Sequence, residues 1–62
     1  MKVAVLSRTE ANGRRILEGC FVDDDKKTGK DKAREAKAKL LKFYAGRLDL
    51  CADTEIDEFD AQ

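Results

Sequence analysis

The sequence contains no histidine, so it lacks the commonest catalytic base and one of the usual zinc ligands. Its two cysteines, Cys20 and Cys51, are not clustered, and in a chain without an export signal we expect reduced thiols. Both lie in predicted strands, where a buried, inert thiol is the usual outcome. The hydroxyl groups have no imidazole to activate them, and no substrate pocket is indicated. We expect a protein that is not an enzyme and that holds no metal and no cofactor.

Aromatic residues and long apolar runs are also scarce. Aromatic side chains make up 6% of the 62 residues and charged side chains 42%. The apolar run from Val3 to Leu6 is far shorter than a signal-peptide core or a membrane span. A chain of this size buries only about 60% of the surface that its unfolded form exposes. The sequence therefore predicts one small cytoplasmic domain, residues 1–62, with a thin core and no membrane contact.

The formal net charge is zero, yet the two signs are separated along the sequence. Residues 26–47 contain nine basic and two acidic side chains, whereas residues 48–62 contain six acidic and no basic ones. Such a chain has two surfaces of opposite sign, and either of them can face a partner.

The segment from Thr28 to Gly46 predicts an α-helix. Its apolar residues, among them Ala33 and Leu40, recur at the three- and four-residue spacing of one helical face. Thr28 is a suitable N-cap, and Gly46 lies where a left-handed residue ends a helix. The apolar face requires a partner, which the short apolar segments on either side must provide.

The residues before this helix predict a β-hairpin. Residues 2–8 are typical of a strand, and Asn12-Gly13 is the strongest short signal for a two-residue type I′ turn. That turn sets a register in which Val3 pairs with Val22. An alternative places a helix over residues 10–18, although a glycine in its interior costs roughly 1 kcal/mol relative to alanine.

The hairpin has two faces, and we expect the one with fewer charges to be buried, because desolvating a charge is costly. That face carries Val3, Val5, Thr9, Ile16, Cys20 and Val22. The other face leaves three apolar side chains exposed together, a candidate contact patch made of Leu6, Leu17 and Phe21. The patch would form a dimer contact, unless the C-terminal segment folds over it.

After the helix, apolar and polar residues alternate from Leu48 to Asp57, the pattern of a half-buried strand. We expect a strand over residues 48–53, possible as far as Ile56, and a frayed acidic tail over residues 57–62. The predicted fold class is α+β, a three-stranded antiparallel β-β-α-β sheet of order 2-1-3 with one helix packed on one face. Order 1-2-3, with a parallel right-handed crossover, is the alternative.

Positive charge concentrates in the helix and around its N-terminus, where lysines oppose the helix dipole. A sequence that accepts this cost is expected to have an anion-binding surface suited to phosphate. The residues assigned to this surface are Lys27, Lys30, Arg34, Lys37 and Lys42. A plainer interpretation is that the lysines flank the helix and cover its apolar stripe with their stems.

Negative charge concentrates in and around the third strand, in a partner-binding face assigned to Asp49, Asp53, Glu55, Asp57 and Glu58. A row of carboxylates roughly 6.6–6.8 Å apart suits an arginine- or lysine-rich groove, such as that of a nucleic-acid enzyme. Two plainer interpretations are an acidic edge strand that discourages aggregation and an acidic tail that neutralises the helix.

Together these features favour a small non-enzymatic protein that binds a protein partner through charged surfaces, as a monomer or a weak homodimer. Its size and topology are similar to those of small phage proteins that inhibit host machinery, including inhibitors of bacterial RNA polymerase and some anti-CRISPR proteins, which is an analogy of fold. We hypothesise a phage-type inhibitor or modulator of a host nucleic-acid-processing complex. The alternative is a non-specific nucleic-acid-binding module that uses the lysine-rich helix.

Overall fold

The most apolar strand lies at the centre of the sheet. The computed structural model describes residues 2–60, which form β1 (Lys2–Thr9), β2 (Arg15–Val22), α1 (Gly29–Phe43) and β3 (Asp53–Asp60). The sheet has the order β2-β1-β3, and β1 pairs antiparallel with both neighbours. This arrangement confirms the predicted α+β class and the order 2-1-3. It excludes the helix over residues 10–18 and the parallel crossover.

The connection between β1 and β2 is a three-residue loop rather than the predicted two-residue turn. The Glu10 amide donates to the Arg14 carbonyl at 2.8 Å, and the Gly13 amide donates to the Glu10 carbonyl at 2.9 Å. Gly13 has a φ of 90°, in the left-handed region that glycine adopts without steric cost. Such a loop is the next commonest hairpin connection after the two-residue turn. The Asn-Gly signal therefore located the hairpin correctly but not its turn type.

A β-bulge in β2 changes which side chains share a face. The first four pairs, beginning with Val3 opposite Val22, follow the predicted register, but Ser7 lies opposite Leu17 instead of Glu18. Glu18 is the extra residue, and its side chain lies on the helix side of the sheet. The shift places Leu17 on the opposite side.

The helix begins at the N-cap residue that the sequence predicts, and the predicted left-handed glycine lies in the turn after the helix. Thr28 is the N-cap, as predicted, and its hydroxyl accepts a hydrogen bond from the Asp31 amide at 3.1 Å. Gly46 has a φ of 77° in the turn that follows, although the helix itself ends at Phe43. The local signals therefore predicted the start of the helix correctly but placed its end about three residues too late.

The buried face of the hairpin is opposite to the one predicted. Ala4 and Leu6 are each 2% exposed and form the core with Ala33 of α1. Arg8 is the main charge on this face, and its guanidinium pairs with Glu18 and lies 4.8 Å from the centroid of the Tyr44 ring. Because the charge has partners, it can lie at the edge of the core without the full desolvation cost.

The predicted contact patch of Leu6, Leu17 and Phe21 is wrong, because these residues do not share one surface. Leu6 is buried, Phe21 is half-buried on the same side, and Leu17 is exposed on the other side. The extra residue Glu18 reverses the alternation between Phe21 and Leu17. Helix α1, rather than the C-terminal segment, forms a groove with Leu6 and Phe21.

Strand β3 begins later than predicted. Its first residue, Asp53, lies opposite Thr9, the last residue of β1. The residues before Asp53 lie beyond the paired length of β1. They form a turn in which the Cys51 amide donates to the Arg47 carbonyl at 3.0 Å, and the Ala52 amide closes the turn onto β1 by donating to the Thr9 carbonyl at 2.7 Å.

Strand β3 extends further along the chain than predicted. Residues 57–60 belong to β3, so the frayed tail expected over residues 57–62 is wrong for them, while residues 61–62 lie outside the described residues. Within residues 2–60, no helix is long and apolar enough to cross a membrane.

Candidate protein-binding surface

A single helix covers one side of the sheet and leaves the other side uncovered. Apart from the bulge at Glu18, side chains alternate between the two sides along each strand, and cross-strand partners share a side. We call the uncovered side the open face; it consists of Val3, Val5, Ser7 and Thr9 from β1, Arg15, Leu17, Cys20 and Val22 from β2, and Asp53, Glu55, Asp57 and Phe59 from β3. No second layer covers it within residues 2–60.

The open face changes from apolar to polar along its length. One end is a row made of Val22, Val3 and Phe59, and the other end is a row made of Arg15, Thr9 and Asp53. Leu17 is 67% exposed and Phe59 is 56% exposed. They line a shallow depression of about 430 Å³ together with Arg15 and Asp57. Apolar surface beside polar anchoring groups is the composition of a protein–protein contact.

Arg15 connects the polar part of the open face. Its Nη2 lies 2.5 Å from Glu55 and 3.1 Å from Asp57, and its Nε donates to the Ser7 hydroxyl at 3.2 Å. The side chain thus crosses β1, and Ser7 is buried. Because the charged groups are about half exposed, water screens these ion pairs, and each stabilises the fold by at most ~1 kcal/mol. With Asp53 included, the open face carries three carboxylates and one guanidinium, so its net charge is negative.

Only part of the predicted acidic face is one surface. The residues that share the open face are Asp53, Glu55 and Asp57. Glu58 lies on the helix side of the sheet, 3.5 Å from Lys30. Asp49 lies in the turn before β3, 3.3 Å from Arg47, which lowers the pKa of its carboxyl. The alternation of the strand separates Glu58 from the row, and the late start of β3 separates Asp49.

The predicted basic residues are partly neutralised within the chain. Three of them form ion pairs, Lys27 with Glu35 at 2.5 Å, Lys30 with Glu58 at 3.5 Å and Arg34 with Asp31 at 3.7 Å. The hydrogen bond from Lys27 lowers the pKa of Glu35. Lys37 and Lys42 form no ion pair in the part of the chain that the structure describes. The five residues therefore do not act as one free cationic surface.

The N-terminus of α1 is occupied by groups of the protein itself. The Asp23 carboxylate accepts a hydrogen bond from the Gly29 amide at 2.6 Å. The Asp24 carboxylate is 2.8 Å from Lys32 and accepts a 2.8 Å hydrogen bond from the Lys27 amide. Lys32 is the largest cause that holds the pKa of Asp24 well below its usual range, and the backbone amides of the loop add to it. This end of the helix is therefore less available to an external phosphate than its lysine content suggests.

The chemistry that the open face can perform is ion pairing and burial of apolar groups. Among residues 2–60, no group of three or more Asp, Glu, Cys or His side chains is arranged to hold a metal ion. Cys20 is exposed on the open face, contrary to the prediction of a buried thiol, and Cys51 is buried but lies in a turn rather than a strand.

The sequence assigned no binding role to Arg15, Val22 or Phe59, which the fold brings to the open face. The available signal was Gly19 next to Glu18, since a glycine inside a strand often marks a bulge. A bulge at that point would have moved Leu17 and Arg15 to the face that already carried Cys20 and Val22.

Comparisons of the chain with protein-family models, with curated proteins and with solved structures each gave no match. The role of the open face is therefore inferred from its exposed side chains and its charges.

Proposed function

We propose that this protein is a non-enzymatic binding protein that holds a protein partner on its open face. The observation that carries the proposal is the presence, on one uncovered sheet, of exposed apolar side chains beside a row of carboxylates. Leu17 and Phe59 supply the apolar area. A partner that buries them also excludes water from the ion pairs beside them, which makes those ion pairs more selective.

The charge of the open face favours a basic partner surface. Arg15 offsets Glu55 and Asp57 only in part, and Asp53 has no ion pair among the described residues. Alternate residues on a strand are roughly 6.6–6.8 Å apart, so arginine or lysine side chains of a groove can approach the row one by one. The basic groove of a nucleic-acid-processing complex is such a surface. By analogy of fold, we propose a phage-type inhibitor or modulator of a host complex of this kind.

The test is a quantitative capture experiment in which the full chain retains proteins from a lysate of the host organism. The open-face variant carries Asp53→Asn, Glu55→Gln and Asp57→Asn, and the asparagine oxygen can still accept the hydrogen bond that Asp53 receives from the Thr54 amide. The control variant removes the same number of charges elsewhere, with the substitutions Asp25→Asn, Asp31→Asn and Asp49→Asn.

We expect a defined partner to be retained by the wild type and by the control, and to be lost from the open-face variant. Retention should also fall steeply between about 0.05 and 0.2 M salt, because exposed charges are screened over a Debye length. Addition of the purified partner should then change the backbone chemical shifts of the open-face residues. A partner that the open-face variant retains as well as the wild type does would overturn the proposal.

A second candidate function is non-specific nucleic-acid binding, and the unpaired lysines of the C-terminal half of α1 favour it. Lys37, Lys39 and Lys42 form no ion pair among the described residues. Fluorescence anisotropy with duplex DNA and with RNA at about 50 mM salt tests this candidate, because phosphate contacts are strongest at low salt. Saturable binding that weakens in the variant Lys37→Gln, Lys42→Gln would support it, and the absence of binding would remove it.

A further inference from the structure

A groove between α1 and β2 is the second apolar surface that the fold leaves accessible. Its volume is about 330 Å³, with Leu6 and Phe21 contributed by the sheet and Ala36, Leu40 and Phe43 contributed by the helix. Phe43 is 79% exposed, the most exposed of the large apolar side chains within residues 2–60. The groove lies on the side of the sheet opposite to the open face. The two surfaces can therefore contact two different molecules at once.

The charge of this groove is opposite to that of the open face. Glu18 also lines the groove, but its carboxylate is paired with Arg8 at 2.5 Å. Lys39 lines the groove and forms no ion pair among the described residues. Glu35, one helical turn before Lys39, is instead paired with Lys27 at 2.5 Å. The uncompensated charge at the groove is therefore positive.

The open face and the groove are complementary in chemistry and in charge. On the open face, Phe59 and Asp57 are two residues apart in β3 and line one depression. At the groove, Phe43 and Lys39 are four residues apart on one side of α1 and line it together. Each surface thus places an exposed aromatic ring beside a charge, and the two charges have opposite signs.

We propose that the open face of one copy binds the groove between α1 and β2 of a second copy. Phe59 and Leu17 pack against Phe43, and Lys39 approaches Asp57 in place of, or together with, Arg15 of the other copy. Contact between two open faces is disfavoured, because it would place two negatively charged rows against each other. The two contacting surfaces differ, so the interface is heterologous.

This proposal does not rest on the proposed partner binding, but it uses the same open face, so self-association and partner binding compete. Lys39 and Phe43 lie outside the open face. A variant such as Lys39→Glu should therefore lose self-association and still retain the partner, which distinguishes a failure of one proposal from a failure of the other.

The test is sedimentation velocity of the full chain at low salt, from about 10 µM to about 1 mM. The mean mass of the wild type should rise with concentration. Lys39→Glu and Asp57→Lys, each alone, should shift association to at least tenfold higher concentration, and so should Phe43→Ser. An equimolar mixture of the Lys39→Glu and Asp57→Lys proteins should associate again, because both contacts between the two different proteins join opposite charges. One contact uses the two exchanged charges, and the other uses the unchanged Asp57 and Lys39.

The controls are Lys42→Glu and Asp31→Lys, which change charge elsewhere on α1 and should leave association unchanged. Circular dichroism shows whether each variant keeps its fold. A wild type that stays monomeric at about 1 mM overturns the proposal. It is equally overturned if Asp57→Lys abolishes association while Lys39→Glu and Phe43→Ser do not, since that result excludes the groove from the contact, or if the mixture fails to associate.

Discussion

At the scale of single residues, Leu6 and Leu17 belong to the same hairpin but differ greatly in solvent exposure. Leu6 is 2% exposed and Leu17 is 67% exposed. Leu6→Ala leaves a cavity in a small core and should lower the free energy of unfolding by about 2–5 kcal/mol. Leu17→Ala removes surface that water already contacts and should lower it by less than about 1 kcal/mol.

Urea unfolding followed by circular dichroism measures both changes. If Leu6→Ala does not fold, Leu6→Val should still cost more than the matching change Leu17→Val. The reverse order would show that the helix covers the other side of the hairpin.

Gly29 lies at a close approach between the first turn of the helix and the end of β2. A Cβ atom at Gly29 would lie 2.5 Å from the carbonyl oxygen of Phe21, which is backbone and cannot move aside easily. We therefore expect Gly29→Ala to destabilise the fold by about 1–3 kcal/mol, although alanine has the higher helix propensity. Lys30→Ala, at the next and exposed position, is the control. Stabilisation by Gly29→Ala in thermal unfolding would contradict this close approach.

At the scale of elements, the connection between β2 and α1 is organised around the Asp24 carboxylate. The pKa of Asp24 is lowered, first by Lys32 and then by the amides of Lys27 and Lys26. A carboxyl whose pKa is lower in the folded state stabilises the fold above its unfolded pKa, and this contribution disappears as the pH falls through the folded pKa. Stability should therefore decrease between about pH 5 and pH 2.

The Asp24→Asn variant should lose part of this pH dependence, because its side chain does not titrate. Asp25→Asn, at the neighbouring exposed position, is the control and should keep the wild-type profile. Thermal melts at several pH values measure the effect. A parallel decline of Asp24→Asn and wild type below pH 5 would assign the acid sensitivity to other carboxylates.

The elements also show which features a sequence can predict. Thr28 and the Asn12-Gly13 pair act through bonds within a few residues, so the helix start and the position of the hairpin were predictable. The bulge at Glu18 and the start of β3 at Asp53 depend on pairing with distant residues. Alternating residues before Asp53 resemble a strand, but they lie beyond the end of β1, and the sequence alone does not reveal that.

The same difference applies to the candidate site. Asp53, Glu55 and Asp57 share a face because of local strand alternation, which the sequence interpretation used correctly. The contribution of Arg15 depends on the bulge and on its reach across β1, which no local pattern contains. The predicted buried face was wrong because Arg8 finds its partners on other elements.

At the scale of the whole molecule, folding does not cancel the separation of charge seen along the sequence. Among the ion pairs within residues 2–60, Lys30 with Glu58 is the one that joins α1 to β3. On the open face, Glu55 and Asp57 of β3 pair with Arg15 of β2, and Asp53 forms no ion pair among the described residues. The interpretation that the acidic segment simply neutralises the helix is therefore insufficient, and two surfaces of opposite sign persist.

The open face itself should be dispensable for folding and necessary for binding. In the double variant Leu17→Thr, Phe59→Thr, both changed side chains are already more than half exposed, and threonine keeps a high strand propensity. The free energy of unfolding should change by no more than about 1 kcal/mol. Self-association and capture of the partner should each weaken at least about tenfold, since exposed aromatic anchors carry much of the energy of an interface.

A matched control is Leu41→Thr, Leu48→Thr, which alters two apolar side chains that are 48% and 69% exposed outside the open face. It should leave both kinds of binding unchanged while removing a similar amount of apolar surface. Urea unfolding, sedimentation and capture on the same three proteins compare folding with binding directly. Loss of cooperative unfolding in the Leu17, Phe59 variant alone would mean that the open face stabilises the fold. An equal loss of binding in both variants would mean that general surface hydrophobicity, and not the open face, causes association.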